Sequence, residues 1–274
     1  MFKSYKNNFL LDESGYYEQR LLIFVDALGF SEYSSKPENY STVVKFINEL
    51  NSIGDLSNFE LYFPVKMWNT PGLYEYSLLS DTLLISFPLT LLTSYKWALT
   101  AVLTSFANVL GVMNKADSNF PFFRGAIVSG FIYHKNNITF GPALVDAYKL
   151  ERYSAKNPRI IVAKELESLM GKEYFENTSP FINDEDYYVV NIFDADFGDV
   201  LHRLEEDSDY YVIGAEAGEQ WLHAWKNKIE NGLKSKYSDK YDYLKKQWNR
   251  KVDEFCEIDL VKDCSWMHDS LIIK

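Results

Sequence analysis

The sequence has few cysteines, few glycines and prolines, and no long apolar run. Its 274 residues include 2 Cys, Cys256 and Cys264, which excludes a disulfide framework and fits a reducing compartment. These cysteines and the 4 His show no paired metal-ligand spacing, so a zinc site is not expected. With 13 Gly and 8 Pro, the chain is neither collagen-like nor of low complexity.

Segments that would direct the chain to a membrane are also missing. The longest apolar stretches, Leu83–Leu92 and Ala98–Val112, are broken by polar residues and proline. A membrane-spanning helix needs about 20 apolar residues, and Met1–Gln19 has no signal-peptide core. We therefore expect a cytoplasmic protein that does not bind a membrane.

The charge balance is acidic. There are 39 Asp and Glu against 28 Lys and Arg, a formal net charge of −11, which argues against nucleic acid as a partner. A nucleotide would need local Lys, Arg or metal to hold it. The chain is 47% hydrophobic and 16% aromatic, enough for a folded core.

Strand and helix patterns alternate along most of the chain. Together they predict one sheet covered by helices, an α+β or α/β sandwich. The predicted strands are Leu21–Val25, Glu60–Val65, Glu75–Leu79, Thr82–Phe87, Phe122–Phe131, Ile138–Phe140, Arg159–Val162 and Tyr187–Ile192. The predicted helices are Pro37–Leu50, Tyr95–Val112, Pro142–Ala155 and Lys164–Met170.

The C-terminal part has a different composition. Gln220–Phe255 is rich in Trp, Lys, Tyr and Glu and predicts two helices broken near Lys236–Ser238. The acidic stretch Glu205–Asp209 is the expected linker. We therefore predict a domain over residues 18–200 and a helical extension over residues 201–274.

Two aspartates lie where strands end. Asp26 follows the apolar run Leu21–Val25, and Asp81 lies at the tip of the hairpin that Ser80-Asp81 predicts. Either could be an ordinary helix cap or turn residue. If the two strands are neighbours, the carboxylates could instead hold Mg²⁺ or Mn²⁺. The glycine-containing turn after Asp26 could hold phosphate oxygens through its N–H groups.

Two later motifs favour the second interpretation. Arg124–Gly130 reads Arg-Gly-Ala-Ile-Val-Ser-Gly, and Gly141–Glu151 opens a helix that ends in Lys-Leu-Glu. With Phe24–Ser31 and Ser80-Asp81, these segments resemble the class III nucleotidyl cyclases in content, order and separation. The resemblance covers roughly Leu21 to Ile192. It implies a ferredoxin-like βαββαβ core, to which the C-terminal helices are an extension.

The resemblance also implies roles for particular residues. Two divalent cations, Mn²⁺ or Mg²⁺, are expected per site, and the sites are expected between the two protomers of a homodimer. A nucleoside triphosphate is the implied substrate. The implied metal ligands are Asp26, Asp81 and the carbonyl of Ala27; the implied phosphate-binding residues are Leu28, Gly29, Phe30, Ser31 and Arg124.

Four positions depart from the family pattern. The helix positions that usually carry Asn and a transition-state Arg hold Val145 and Lys149, and we take Lys149 as the catalytic cation. Lysine supplies charge but not a planar, bidentate fork. The adenine-reading Lys and Asp positions hold Ser77 and Ile138, so the base is read otherwise or is not adenine.

One branch of the family fits the local sequence better. Asp-Ala-Leu-Gly-Phe-Ser at Asp26–Ser31 and Ala-Lys-Asn-Pro-Arg-Ile-Ile-Val at Ala155–Val162 are similar to the bacterial pyrimidine cyclases of Pycsar antiphage defence. This implies conversion of UTP to cyclic UMP, and a functional link to an effector that the cyclic nucleotide activates. CTP with cyclic CMP, or a purine product, are the alternatives. Tyr40 is the candidate base-selecting residue.

Two interpretations without catalysis also remain open. The protein could be a nucleotide-binding module that has lost turnover, or a scaffold acting through its terminal helices. Among other residues, His134 is expected on the surface without a metal-ligand partner, and Arg159 is expected in an ion pair or interface. Trp221, Trp225 and Trp248 are expected to be packing residues.

Overall fold

A mixed sheet forms the centre of the structure. The computed structural model describes residues 17–54, 74–90, 122–177, 181–193, 197, 211–258 and 265–274. The sheet has eight strands, in the order β2-β3-β1-β4-β6-β8-β7, with β5 paired to β4. The strands are β1 Glu18–Ala27, β2 Glu75–Leu79, β3 Thr82–Pro88, β4 Phe123–Lys135, β5 Ile138–Phe140, β6 Ile160–Val162, β7 Phe181–Asp184 and β8 Tyr187–Val190.

The first four strands have the ferredoxin-like arrangement. They lie in the order β2-β3-β1-β4, and every neighbouring pair among them is antiparallel. A helix connects β1 to β2, as a βαββαβ core requires. The second connecting helix, predicted over Tyr95–Val112, lies outside the described residues. The predicted α+β fold is thereby confirmed.

Helices cover both faces of the sheet. Before the C-terminal region they are α1 Phe30–Ser34, α2 Tyr40–Gly54, α3 Pro142–Ser154, α4 Lys164–Met170 and α5 Lys172–Glu176, with a 3-10 turn at Pro37–Asn39. Proline at the first turn of α3 suits the helix start, because no intrahelical acceptor exists there for an N–H. Gly141 precedes it at φ 137, a backbone conformation that favours glycine.

Alternation along β1 separates the two faces. Leu21, Ile23 and Val25 are buried against a core that includes Phe46 and Leu50 of α2. The residues between them point to the opposite face, since successive strand side chains alternate. There Leu22 and Phe24 pack with Ala143 and Ala147 of α3. Asp26 continues this second set, so its side chain lies on the α3 face.

The C-terminal region is helical, as predicted. It contains α6 Tyr211–Leu233, α7 Ser238–Cys256 and α8 Ser265–Leu271. Trp225 and Trp248 are buried in its core, which confirms them as packing residues. Phe122, Phe193 and Phe197 join the same core. The division of the chain at residues 200 and 201 stays a prediction.

The structure corrects several details of the sequence analysis. The strand β7 and the helices α5 and α8 were not predicted. β4 continues to Lys135, and His134 within it is buried rather than exposed, so the expectation of a surface histidine is wrong. Glu60–Val65 and Glu205–Asp209 lie outside the described residues. In the part of the chain that the structure describes, no helix has the length and apolar character needed to span a membrane.

Candidate active site

Asp26 is held at the end of β1 by its strand neighbours. It lies opposite Thr82 of β3 on one side and Arg124 of β4 on the other. The Thr82 hydroxyl donates to Asp26 Oδ1 at 2.9 Å. The register therefore places one carboxylate between a hydroxyl donor and a guanidinium, at the point where the strand ends.

Asp81 lies beside it in the β2–β3 turn. Ser80 adopts φ 60, which lets the two-residue turn Ser80-Asp81 close the hairpin. The Ala27 N–H donates to the Asp81 carbonyl oxygen at 3.3 Å, so the turn is tied to the residue after Asp26. Burial raises the pKa of the Asp81 carboxyl, and the negative charge of Asp26 raises it further. Both effects favour a cation at this point.

Arg124 supplies positive charge to this cluster in the structure. Its Nε and one terminal nitrogen donate to Asp26 Oδ2 at 3.4 and 3.3 Å. Its Nε also lies 2.6 Å from Glu151 Oε1 of α3, without the alignment of a hydrogen bond. Burial raises the pKa of the Glu151 carboxyl against the attraction of Arg124. Glu151 is not among the predicted site residues, although it ends the helix motif Gly141–Glu151.

The turn after Asp26 is fixed by two features. Leu28 donates its N–H to the carbonyl of Phe122 at 2.7 Å. Gly29 adopts φ 79, the left-handed region that glycine enters without steric cost. Phe30 is buried in the core and starts α1, while Ser31 is exposed. The predicted phosphate-binding residues Leu28 to Ser31 therefore form one tight turn beside the two aspartates.

The donor set suits a hard divalent cation. Carboxylates of Asp26 and Asp81 and a nearby backbone carbonyl are oxygen ligands, the type that Mg²⁺ and Mn²⁺ prefer. Among the described residues, no cluster of three or more His, Cys, Asp or Glu side chains is arranged to hold a metal. Protein ligands at this site would therefore be few, which leaves coordination positions for phosphate oxygens and water.

Lys149 and Val145 do not join this cluster within one protomer. Both are exposed on α3, whose residues Ala147 and Glu151 are buried. Lys149 lines a separate open groove of about 510 Å³ together with Asp146, Ser129, Lys164 and Tyr187. Lys149 could therefore act only at the site of a second protomer.

Tyr40 begins α2 with 56% of its surface exposed. The described contacts give it no partner in the Asp26–Asp81 cluster. Its role in base selection stays a prediction.

The fold brings together Ser77 and Ile138, the residues at the two base-reading positions. Ser77 Oγ lies 3.3 Å from Thr139 Oγ1, and Ile138 is the neighbour of Thr139. Ser77 is fully buried, and its hydroxyl is also 2.9 Å from His134 Nε2. Neither Thr139 nor His134 was singled out from the sequence as part of this position. Their proximity to Ser77 depends on the sheet, which brings β2 close to the β4–β5 hairpin.

His134 is the centre of a buried polar network. Its Nδ1 lies 2.8 Å from Ser86 Oγ, and that hydroxyl accepts a hydrogen bond from Arg20 Nε at 2.9 Å. Burial lowers the pKa of His134 from 6.5 to about 4, and the charge of Arg20 adds to this. At neutral pH the imidazole is therefore uncharged, with one nitrogen donating and the other accepting.

This network predicts a pH-dependent stability. Unfolded His134 takes up a proton below pH 6.5, whereas the folded form does so only near pH 4, so its stabilising effect is lost as the pH falls. Between pH 7 and pH 5, we expect the wild type to lose about 1.8 kcal/mol more unfolding free energy than His134→Gln. Urea titrations of both proteins at the two pH values measure this. Equal losses would contradict the buried neutral imidazole.

No family model matches the chain. No curated protein matches it either.

Solved structures give weak likenesses. The adenylyl cyclase CyaB from P. aeruginosa is 14% identical with a TM-score of 0.39, covering 63% of this chain and 93% of that one. The monomeric guanylyl cyclase domain of the RhoGC fusion protein from the aquatic fungus Blastocladiella emersonii is also 14% identical, with a TM-score of 0.42 and coverages of 64% and 95%. At such identities and TM-scores, these likenesses carry no inference about activity.

Proposed function

We propose that the protein is a metal-dependent nucleotidyl cyclase that converts UTP to 3′,5′-cyclic UMP and pyrophosphate. The observation that carries this proposal is the meeting of Asp26, Asp81 and the turn Leu28–Ser31 at one end of the sheet. Paired carboxylates next to a tight, glycine-containing turn suit the binding of a triphosphate with divalent cations. The ferredoxin-like strand order that positions them supports the same proposal.

The chain's own residues would each perform a limited task. In the reaction, the ribose 3′-hydroxyl gives up its proton to water, its oxygen forms a bond to the α-phosphorus, the bond to the β-phosphate oxygen breaks, and pyrophosphate leaves with that bond's electrons. Asp26 and Asp81, with the Ala27 carbonyl, would hold the cations, and Leu28 to Ser31 would orient the phosphates. Bound divalent cations would activate the 3′-hydroxyl and neutralise charge on the phosphate oxygens. Arg124 would meet the outer phosphates.

A homodimer would complete the site. Val145 and Lys149 face solvent on α3, away from the Asp26–Asp81 cluster of their own protomer. Large apolar side chains near them are exposed, with Phe131, Ile138, Phe140 and Tyr148 between 43% and 55% exposed. Exposed apolar groups of this kind often mark an interface. A second copy on this surface would bring its Lys149 towards the partner's aspartates.

Pyrimidine specificity is the finer part of the proposal. The positions that carry the adenine-reading pair in the family hold Ser77 and Ile138, neither of which is charged. The Ser77 hydroxyl is engaged by His134 and Thr139. This favours a pyrimidine over adenine, with CTP as the alternative to UTP. A second-messenger role in antiviral defence, acting on an effector, is proposed with it on the resemblance to the pyrimidine cyclases of Pycsar defence.

Incubation of the purified protein with each of ATP, GTP, CTP and UTP, in the presence of Mn²⁺, tests this proposal. Mass spectrometry of the products should show cyclic UMP. Cyclic CMP would reassign the base, and a cyclic purine product would overturn the argument from Ser77 and Ile138. If a folded dimer gives no product but binds a nucleotide in equilibrium dialysis, the catalytically degenerate binding module replaces the enzyme.

A further inference from the structure

One residue connects the C-terminal helices to the candidate site. The side chain of Phe122 is 4% exposed and belongs to the core of the C-terminal helices, not to the cores of the sheet. Its ring stacks on Trp225 with centroids 6.0 Å apart and meets Tyr241 edge-on at 5.4 Å. Lys228 Nζ lies 4.5 Å from the centre of the same ring. The helices α6 and α7 therefore contact this ring from several sides.

The backbone of Phe122 faces the opposite way. Its carbonyl accepts the N–H of Leu28 at 2.7 Å. The next two residues of β4, Phe123 and Arg124, pair with Ala27 and Asp26. The side chain of Phe122 thus lies in the C-terminal core while its carbonyl supports the turn after Asp26.

The buried ring of Phe122 and its backbone hydrogen bond to Leu28 differ in how much they stabilise the structure. Burial of a phenylalanine ring contributes more to stability than one backbone hydrogen bond does. The packing of the ring among α6 and α7 therefore helps to set the position of the Phe122 carbonyl, together with the pairing of Phe123 with Ala27. If the ring moves, the hydrogen bond from Leu28 weakens, and the turn next to Asp26 loses part of its support.

A second contact reaches the same region from solvent. Glu32 of α1 accepts hydrogen bonds from Lys236 and from the Tyr237 hydroxyl, in the connection between α6 and α7. These bonds and the charge of Lys236 lower the pKa of the Glu32 carboxyl. Exposed ion pairs contribute little to stability, so this contact restrains α1 only weakly. Phe122 remains the main connection.

We propose that the C-terminal helices position the turn Ala27–Gly29, and that Phe122 is the positioning residue through which they act. In this proposal the helices are a structural part of the site rather than an appended module. Its consequence for catalysis rests on the proposed cyclase function, whereas its consequence for the turn itself does not.

Substitution of Phe122 with a matched control tests the structural part. Phe255 lies in the same core, is 1% exposed and packs on Phe197 with centroids 5.0 Å apart. Phe122→Leu and Phe255→Leu therefore remove equivalent rings from one core. We expect amide hydrogen exchange at Leu28 to accelerate about fivefold in Phe122→Leu, and to stay unchanged in Phe255→Leu. Equal exchange in the two variants would overturn the proposal.

A milder variant covers the case in which Phe122→Leu does not fold. Trp225→Phe keeps an aromatic core and removes part of the stacking on Phe122. It should accelerate exchange at Leu28 in the same direction by about twofold. Exchange at the wild-type rate in a folded Trp225→Phe, with Phe122→Leu unfolded, would count against the proposal.

The catalytic consequence is measured separately. With the cyclase product established, Phe122→Leu should raise the Mn²⁺ concentration at half-maximal rate about fivefold, while the rate at saturating Mn²⁺ stays near that of the wild type. Phe255→Leu should change neither value. If the wild type makes no cyclic nucleotide, the proposed function fails, yet the exchange difference still decides the positioning role. A loss of rate that saturating Mn²⁺ does not restore would contradict positioning through the turn.

Discussion

Asp26→Asn and Asp81→Asn are each expected to abolish cyclic nucleotide formation while leaving the fold intact. Removing one of the two carboxylates would take away charge and a ligand atom from the proposed cation site, which would have few protein ligands. A loss of several kcal/mol in transition-state stabilisation corresponds to a rate reduction of about a thousandfold or more. Product formation under saturating UTP and Mn²⁺, followed by chromatography, measures it.

The folded state of these variants should be preserved for specific reasons. In Asp26→Asn the amide oxygen can still accept the Thr82 hydroxyl, since that bond needs only one side-chain oxygen, Oδ1 in the wild type. Loss of the Asp26 charge also removes one cause of the raised pKa of Asp81. Asp242→Asn, on the exposed side of α7, is the matched control and should keep full activity. Wild-type rates in both site variants would show that the two aspartates do not hold the catalytic cations.

Gly125→Ala is expected to have the largest effect on stability. A Cβ at this position would lie 2.2 Å from the Phe24 carbonyl oxygen and 3.1 Å from Val25 Cα, both backbone atoms of β1. Backbone in the middle of a sheet cannot move aside as a flexible side chain can. We expect a loss of about 3 kcal/mol or more in unfolding free energy, measured by urea denaturation.

Substitution of a second glycine, Gly29, is a control that distinguishes steric crowding from backbone strain. Gly29 has φ 79, and a Cβ there would meet no atom within 4 Å. Gly29→Ala should therefore lose only about 1 kcal/mol, the usual penalty of the left-handed region. If the two variants lose the same free energy, β1 and β4 do not approach as closely at Gly125 as the structure places them.

Most of the sheet could be predicted from the sequence, because its strands carry local signals. The apolar runs of β1 and β3 are visible without any knowledge of pairing. β7 is missed because Phe181–Asp184 is short and half polar, and its strand character depends on pairing with β8. The predicted strand ends at Phe131, whereas β4 continues to Lys135, because pairing of Tyr133–Lys135 with β5 extends it.

The candidate site was predictable only in part. Asp26 and Asp81 stand out because each follows or separates apolar strands, and the register of β1 with β3 brings them together. Thr82 has no special local pattern, and Glu151, although it ends the helix motif Gly141–Glu151, joins the cluster only through tertiary packing. His134 was misjudged because its partners Ser77 and Ser86 lie on other strands, far away in the sequence.

Arg124 contacts the same Asp26 carboxylate that the proposed cation would need. Its contacts with Asp26 are long, at 3.3 and 3.4 Å, whereas Glu151 lies 2.6 Å from Nε. An incoming triphosphate would compete for the same guanidinium and would release the Asp26 oxygens when it takes Arg124. Binding of the triphosphate and binding of the cation would then be coupled, and each would strengthen the other. The protein should therefore bind Mn²⁺ more weakly alone than with a nucleotide. Without a nucleotide, Arg124 would stay on Asp26 and little cation would be bound.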